Sequence, residues 1–148
     1  AKVVIGHGVA SGKAKDPRFP GGTISMQKPF FEKSGLTMEN FFLGTINLDI
    51  SPFEYELIEP FFSSNCIRWS PDMPPENFSF YKCSLWIPQK FGKMIHSVLI
   101  YLPHPSTKPE FFQPLNILEI IAPCISNITY DTEVELSSTE DSVLFSKI

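Results

Sequence analysis

Proline constrains this chain more than any other residue type. It occurs 14 times in 148 residues, and it breaks the interior of a helix because it lacks the backbone N–H group and its ring clashes with the preceding turn. The sequence therefore excludes an all-helical bundle. The prolines instead divide the chain into short segments, a spacing typical of small β-barrels and β-sandwiches.

Composition and charge narrow the class of protein further. Hydrophobic residues make up 43% and charged residues 19% of the chain, which is typical of a globular fold, and the length fits one domain over residues 1–148. The net charge of -4 argues against a nucleic-acid partner or an anionic membrane surface. No apolar run reaches the roughly 18 residues of a membrane helix, and the first residues do not resemble a signal peptide. We expect a cytoplasmic protein without a membrane partner.

Short runs with alternating apolar side chains predict the strands. Proline and glycine bound two short helical turns, Pro29 to Lys33 and Met38 to Phe41, the second with Thr37 as its N-cap. The polar residues 137–148 predict a frayed tail. We therefore predict a single mainly-β domain, a small barrel of six or seven strands with one or two short helices. The predicted strands are Lys2–Ile5, Thr23–Gln27, Thr45–Ile50, Phe78–Ile87, Ile95–Leu102, Leu115–Ala122 and Glu133–Leu136.

A glycine-rich loop follows the first predicted strand. Glycine lets backbone N–H groups approach a phosphate closely, and the cations further along the loop form the densest positive cluster in the sequence. The loop is neither a Walker A motif nor a dinucleotide-binding fingerprint, because the residues after it do not fit either pattern. The alternative is an ordinary flexible turn. The candidate phosphate-binding residues are Gly6, Gly8, Ser11, Gly12, Lys13, Lys15 and Arg18.

Two polar residues at the start of a predicted strand form a candidate metal site. Thr45 and Asn47 are two positions apart, so in a strand both side chains project from one face while Ile46 points to the other. Oxygen-bearing side chains suit a hard cation such as Mg²⁺, which takes few protein ligands and keeps water or phosphate in its shell. The alternative is a half-exposed strand with its polar residues facing water.

A polar loop after the predicted strand Ile95–Leu102 carries a second, separate candidate. It contains His104 and Lys108, and histidine suits acid–base or phosphate chemistry near neutral pH. The alternative is a solvated loop histidine. The cysteines add no metal or disulfide pattern, because Cys66, Cys83 and Cys124 are odd in number and far apart.

Several segments resemble, in order, the archaeal CTP-dependent riboflavin kinases. Residues 2–8 are similar to the opening strand and glycine loop of that family. Residues 43–48, which contain Gly-Thr-Ile-Asn, resemble its Gly-Thr-Leu-Asn signature, and residues 115–123 resemble its Ile-Glu-Ile-Ile-Ala-Pro segment. Residues 130–136 are similar to its closing strand.

The resemblance implies a fold, an activity and a metal site. The family forms a six-stranded cradle-loop barrel and transfers the γ-phosphate of CTP to riboflavin, giving FMN. By resemblance, Thr45 and Asn47 would hold Mg²⁺, and Gly6 and Gly8 would lie against a nucleotide. The ligand would be a nucleotide or a flavin.

The first loop departs from the pattern of that family. The glutamate and the aromatic residue that follow the glycines in the family are missing here, and residues 13–22 replace the short segment that would contact the nucleotide. These departures keep open a second hypothesis, a non-catalytic ligand-binding module with the same fold.

Overall fold

The computed structural model describes residues 1–6, 12–108, 114–125 and 128–148. Within them the chain is mainly β, as the sequence predicts, with one helix, α1 (Thr23–Lys33). The strands are β1 (Lys2–Val4), β2 (Ile46–Asp49), β3 (Phe53–Leu57), β4 (Phe62–Ile67), β5 (Glu76–Gln89), β6 (Gly92–Pro103), β7 (Ile117–Ile121), β8 (Glu135–Ser137) and β9 (Val143–Lys147).

Seven of the described strands form one antiparallel sheet. Its order is β1-β2-β7-β6-β5-β4, with β8 paired to β5 beside β4. The regular strand pairs form no closed barrel in the described residues. The segment that precedes β8 nevertheless bonds to β1: the Val3 N–H donates to the Thr132 carbonyl at 2.9 Å, and the Asp131 N–H donates to the Val3 carbonyl at 2.8 Å.

Successive side chains of β5 and β6 point to opposite faces of the sheet, so the core consists of two clusters, one on each face. Side chains on one face of β5, including Tyr81, Cys83 and Leu85, pack with Val98 and Ile100 of β6. β3 and β9 form a separate two-stranded sheet, and their side chains pack against this same cluster. The period of two in the sequence thus corresponds to a buried face, which fixes the register of the strands.

The second cluster lies on the opposite face of the sheet, under α1. Phe31 of α1 meets Phe78 and Phe80 of β5 edge to face, with ring centroids 5.0 and 5.1 Å apart. The predicted strand Thr23–Gln27 is wrong, because those residues begin this helix. Five residues of alternation do not distinguish a strand from a helix, whereas Ile24, Gln27 and Phe31 are buried at helical spacing.

The predictions of the two short helical turns and of the frayed tail also need correction. Pro29 lies inside α1 rather than at its first position, and the packing of the helix on the sheet offsets the hydrogen bond that proline cannot make. The turn after Thr37 is a single bend closed by the Phe41 N–H and the Met38 carbonyl at 3.1 Å. The tail, expected to fray, contains β9, which pairs with β3 along its whole length.

Two further features of the described residues bear on the sequence analysis. No helix among them has the length and apolar character needed to cross a membrane. Cys66, Cys83 and Cys124 are free thiols, of which Cys83 is buried.

Candidate functional site

A cavity of about 690 Å³ lies where β1, β2 and β7 meet the loops that follow them. Its size falls in the range of small-molecule sites, roughly 300–1,000 Å³. Its walls come from segments far apart in the sequence, and they include four of the predicted site residues, Gly6, Lys13, Thr45 and Asn47. We call it the Thr45 cavity.

The polar side of the Thr45 cavity is formed by Thr45, Asn47 and Glu119. The Thr45 hydroxyl donates to Glu119 Oε1 at 3.3 Å. Asn47 of β2 is the direct register partner of Glu119 of β7, so the two side chains project from the same face. Leu48 is fully buried on the other face, which confirms the predicted alternation of the strand.

The backbone of Gly6 lies close to the side chain of Asn47. A β-carbon at this position would overlap the side chain of Asn47. Any larger residue would therefore force the side chain of Asn47 to move. The glycine is required by its contact with Asn47 rather than by its backbone angles.

Of the three cations predicted to meet phosphate, Lys13 lines the cavity. Its Nζ lies over the ring of Tyr130, 5.9 Å from the centroid. Arg18 instead bonds to Asp16, with its Nη2 2.8 Å and its Nε 3.2 Å from the two carboxylate oxygens. This contact lowers the pKa of Asp16. Lys15 is exposed and is not among the residues of the cavity.

His104 and Lys108, the second pair of candidate residues, have different roles in the structure. Lys108 lies 3.9 Å from Glu119 Oε2, with both side chains largely buried, so it adds a positive charge behind the cavity. His104 bonds through Nε2 to the Ser79 hydroxyl at 2.7 Å. Its carbonyl accepts the N–H groups of Thr107 and Lys108, so His104 shapes the turn that carries Lys108.

The rest of the wall is apolar and open to solvent. Ile5, Phe42 and Tyr130 line the Thr45 cavity, and each exposes half or more of its side chain. Exposed aromatic rings beside a polar cluster suit a ligand with a flat ring and a charged tail.

The donor set suits a hard cation more than a transition metal. Among the described residues, no cluster of three or more His, Cys, Asp and Glu side chains is arranged to hold a metal. A hydroxyl, an amide and a carboxylate are oxygen ligands, and Mg²⁺ is held by few of these. The residues present therefore fit Mg²⁺ and do not fit zinc.

Gly8 and Ser11 lie outside the described residues, and Gly12 is the first described residue after them, with φ of 87°.

Glu119 was not among the predicted site residues. One carboxylate in an apolar strand is a signal that could have identified it, because an acidic side chain in such a strand needs a polar partner.

Comparison of the chain with protein-family models, with curated proteins and with solved structures gives no match.

Proposed function

We propose that the Thr45 cavity binds a nucleotide or a flavin phosphate together with Mg²⁺, and that the protein transfers a phosphoryl group as the CTP-dependent riboflavin kinases do. The observation that carries the proposal is the convergence of Gly6, Lys13, Thr45 and Asn47 on one cavity. These residues were selected from sequence motifs alone, and they lie in three separate segments.

The same resemblance leads us to propose a six-stranded barrel. β1, β2, β7, β6 and β5 follow one another in the sheet, and β8 pairs with β5 at residues 84–86. The residues just before β8 bond to β1 through Val3, and Lys2 forms a bridge with Glu133. These bonds would join the first and last strands of the path and so close the barrel around the first cluster.

Thr45 and Asn47, with Glu119 beside them, would hold the metal. When bound there, Mg²⁺ would neutralise charge on the phosphate oxygens, which together with positioning supplies most of the catalysis in phosphoryl transfer. Lys13 would meet a second phosphate oxygen as a point charge. Phe42 and Tyr130 would flank the ring of the base or the flavin. The balanced reaction is transfer of the γ-phosphoryl group of CTP to a riboflavin hydroxyl, giving FMN and CDP.

A thermal-shift screen tests this proposal. The protein is heated with Mg²⁺ and with CTP, ATP, GTP, riboflavin or FMN, each alone and in pairs. A ligand at 100 times its dissociation constant stabilises the folded state by about 2.7 kcal/mol, which is a shift of several degrees for a domain of this size. A Mg²⁺-dependent shift with CTP that riboflavin increases supports the kinase proposal. The absence of any shift would contradict it.

A non-catalytic binding module is the second candidate. The observation that favours it is that Arg18 is engaged by Asp16 and Lys15 lies away from the cavity. The predicted loop thus contributes less positive charge than a site for a triphosphate requires. Ligand binding without formation of FMN in an assay with CTP, riboflavin and Mg²⁺ would support the module.

A further inference from the structure

A second cavity, of about 700 Å³, lies on the outer face of the large sheet. It begins at the C-terminal end of α1, beyond which the helix no longer covers the sheet. Residues 35–37 after α1, residues 61–62 at the start of β4 and residues 137–139 at the end of β8 surround it. It shares no described lining residue with the Thr45 cavity. We call it the Lys82 cavity.

A row of serine hydroxyls crosses the floor of the Lys82 cavity. Ser97, Ser84 and Ser137 are register partners on β6, β5 and β8, so their side chains lie side by side on one face. The Ser137 hydroxyl accepts a bond from Trp86 Nε1 at 2.8 Å. Its own hydrogen then remains available to a ligand, and a hydroxyl donates as readily as it accepts.

The charge at this cavity is of one sign. Among the described residues that line it, Lys82 is the only charged one, although the chain as a whole carries a net charge of -4. A cation beside hydroxyl donors, with no lining carboxylate, favours an oxyanion.

An exposed ring stands beside the cation. Lys82 Nζ lies 4.1 Å from the centroid of Phe61, and Phe61 exposes 52% of its surface. Phe41 and Phe62 also line the cavity. Rings at this position offer stacking surface to a flat ligand next to its charged group.

We propose that the Lys82 cavity is a second binding site, which takes a phosphate ester of a small aromatic ring. The oxyanion lies against Lys82 and the serine row, and the ring lies against Phe61. This site does not depend on the function of the Thr45 cavity, because Thr45, Asn47 and Glu119 do not line it.

Phenyl phosphate is the probe for this site. The ¹⁵N-labelled chain is titrated with it in buffer that contains EDTA, so that any metal-dependent binding in the Thr45 cavity is removed. We expect saturable shifts of the amide signals of Ser84, Ser97 and Thr139. Phenol and inorganic phosphate should each bind roughly tenfold or more weakly than phenyl phosphate, because each lacks one of the two contacts. Equal affinity for either compound overturns the assignment of that contact.

Matched lysine variants test the role of the charge. Lys82→Gln should weaken phenyl phosphate binding roughly tenfold and remove most of its dependence on salt. Lys90→Gln is the control, because Lys90 also lies over a phenylalanine ring, that of Phe91, at 5.6 Å, but outside the cavity. The Ser84→Ala/Ser97→Ala double variant should also bind more weakly. Equal loss in Lys90→Gln, or shifts confined to the residues of the Thr45 cavity, overturns the proposal.

Discussion

The two cavities are similar in size and differ in chemistry. The Thr45 cavity contains a carboxylate that contacts a hydroxyl and lies near a lysine. The Lys82 cavity contains one lysine and a row of hydroxyls. Both lie on parts of the sheet that α1 leaves uncovered, while the part under α1 is filled by phenylalanine rings.

The difference indicates which charge each cavity can accept. A carboxylate beside oxygen donors attracts a cation, and phosphate enters such a site with its metal. A lone lysine beside hydroxyls attracts an anion directly. If both proposals hold, the same sheet presents a metal-dependent site and a metal-independent one, and changes made at one should leave the other intact.

The largest expected effect is at the oxygen donors of the Thr45 cavity. The Thr45→Ala/Asn47→Ala double variant should lose Mg²⁺-dependent nucleotide binding by roughly 100-fold, or about 2.8 kcal/mol. Both side chains are partly exposed, so the melting temperature should change little. Calorimetric titration with CTP, with and without Mg²⁺, measures the loss.

The Ser84→Ala/Ser97→Ala double variant is the control for that experiment. It removes two hydroxyls from the other cavity and should leave CTP binding within twofold of the native value. A melting temperature lowered by many degrees in Thr45→Ala/Asn47→Ala would instead assign those residues a structural role.

A comparable effect is expected at the cysteines, since one is buried in the core and another is exposed in the wall of the Thr45 cavity. Burial raises the pKa of the Cys83 thiol from its usual 9.0 to about 11, which reduces its thiolate at pH 8 by about 100-fold. The Cys83 side chain packs in the first core cluster, whereas the exposed Cys124 lines the Thr45 cavity. A maleimide should modify Cys124 fast and Cys83 very slowly, as followed by mass spectrometry of peptides.

Ligand protection sharpens the same test. Mg²⁺ and CTP should slow the modification of Cys124 and leave that of Cys66 unchanged, because Cys66 is exposed and lines neither cavity. Unchanged modification of Cys124 at a saturating ligand concentration would mean that the ligand binds elsewhere.

A smaller effect should distinguish two neighbouring lysines. Lys13→Gln should weaken nucleotide binding by about fivefold, because Lys13 lines the Thr45 cavity and a single exposed charge contributes about 1 kcal/mol. Lys15→Gln, two positions away, should change it by less than twofold. Titration at low and high salt measures both, and equal effects of the two substitutions would contradict the position of Lys13.

The smallest effect concerns Glu76, a buried carboxyl that is bonded to Trp69 and feels the charge of Lys108. Glu76 is 3% exposed, and burial raises the pKa of its carboxyl, although the bond from Trp69 and the charge of Lys108 oppose this. Because the pKa of this carboxyl is higher in the folded chain than in the unfolded chain, its protonated form contributes stability to the fold. That contribution is fully present below the pKa of the unfolded chain and is lost as pH rises through the pKa of the folded chain. Glu76→Gln keeps an acceptor for Trp69 Nε1, so it should melt higher than the native protein at pH 7 and resemble it at pH 4.

Glu54→Gln, at an exposed position of strand β3, is the control for the effect of pH. Its melting curve should follow that of the native protein at both pH values. A melting temperature of Glu76→Gln below that of the native protein at pH 7 would show that the ionised carboxylate stabilises the fold.

The sequence motifs point to several residues that line the first cavity and to none that line the second, for a physical reason. Thr45 and Asn47 lie in one short motif, so their shared face follows from strand geometry alone. The Lys82 cavity is made by Ser84, Ser97 and Ser137, which become neighbours only through the register of three strands. Serine is common in this chain, so no local pattern singles these residues out.

The errors in secondary structure have related causes. The strands β2, β5, β6 and β7 carry strong alternation or long apolar runs and were predicted close to their observed bounds. Residues 23–27 alternate as well, but tertiary packing under Phe78 and Phe80 favours the helix. The polar composition of residues 137–148 predicted a frayed tail, although Val143 in this segment is buried and pairs with β3.

Paramagnetic broadening by Mn²⁺ is the most direct test of the metal site. Mn²⁺ takes the oxygen ligands that Mg²⁺ takes, and it broadens the amide signals of nearby residues in a ¹⁵N-labelled sample with CTP. We expect the signals of Thr45, Asn47 and Glu119 to broaden first, and those of Ser84 and Ser97 to stay sharp. Broadening that begins elsewhere, or that is unchanged in Thr45→Ala/Asn47→Ala, would contradict a metal-dependent ligand site in the Thr45 cavity.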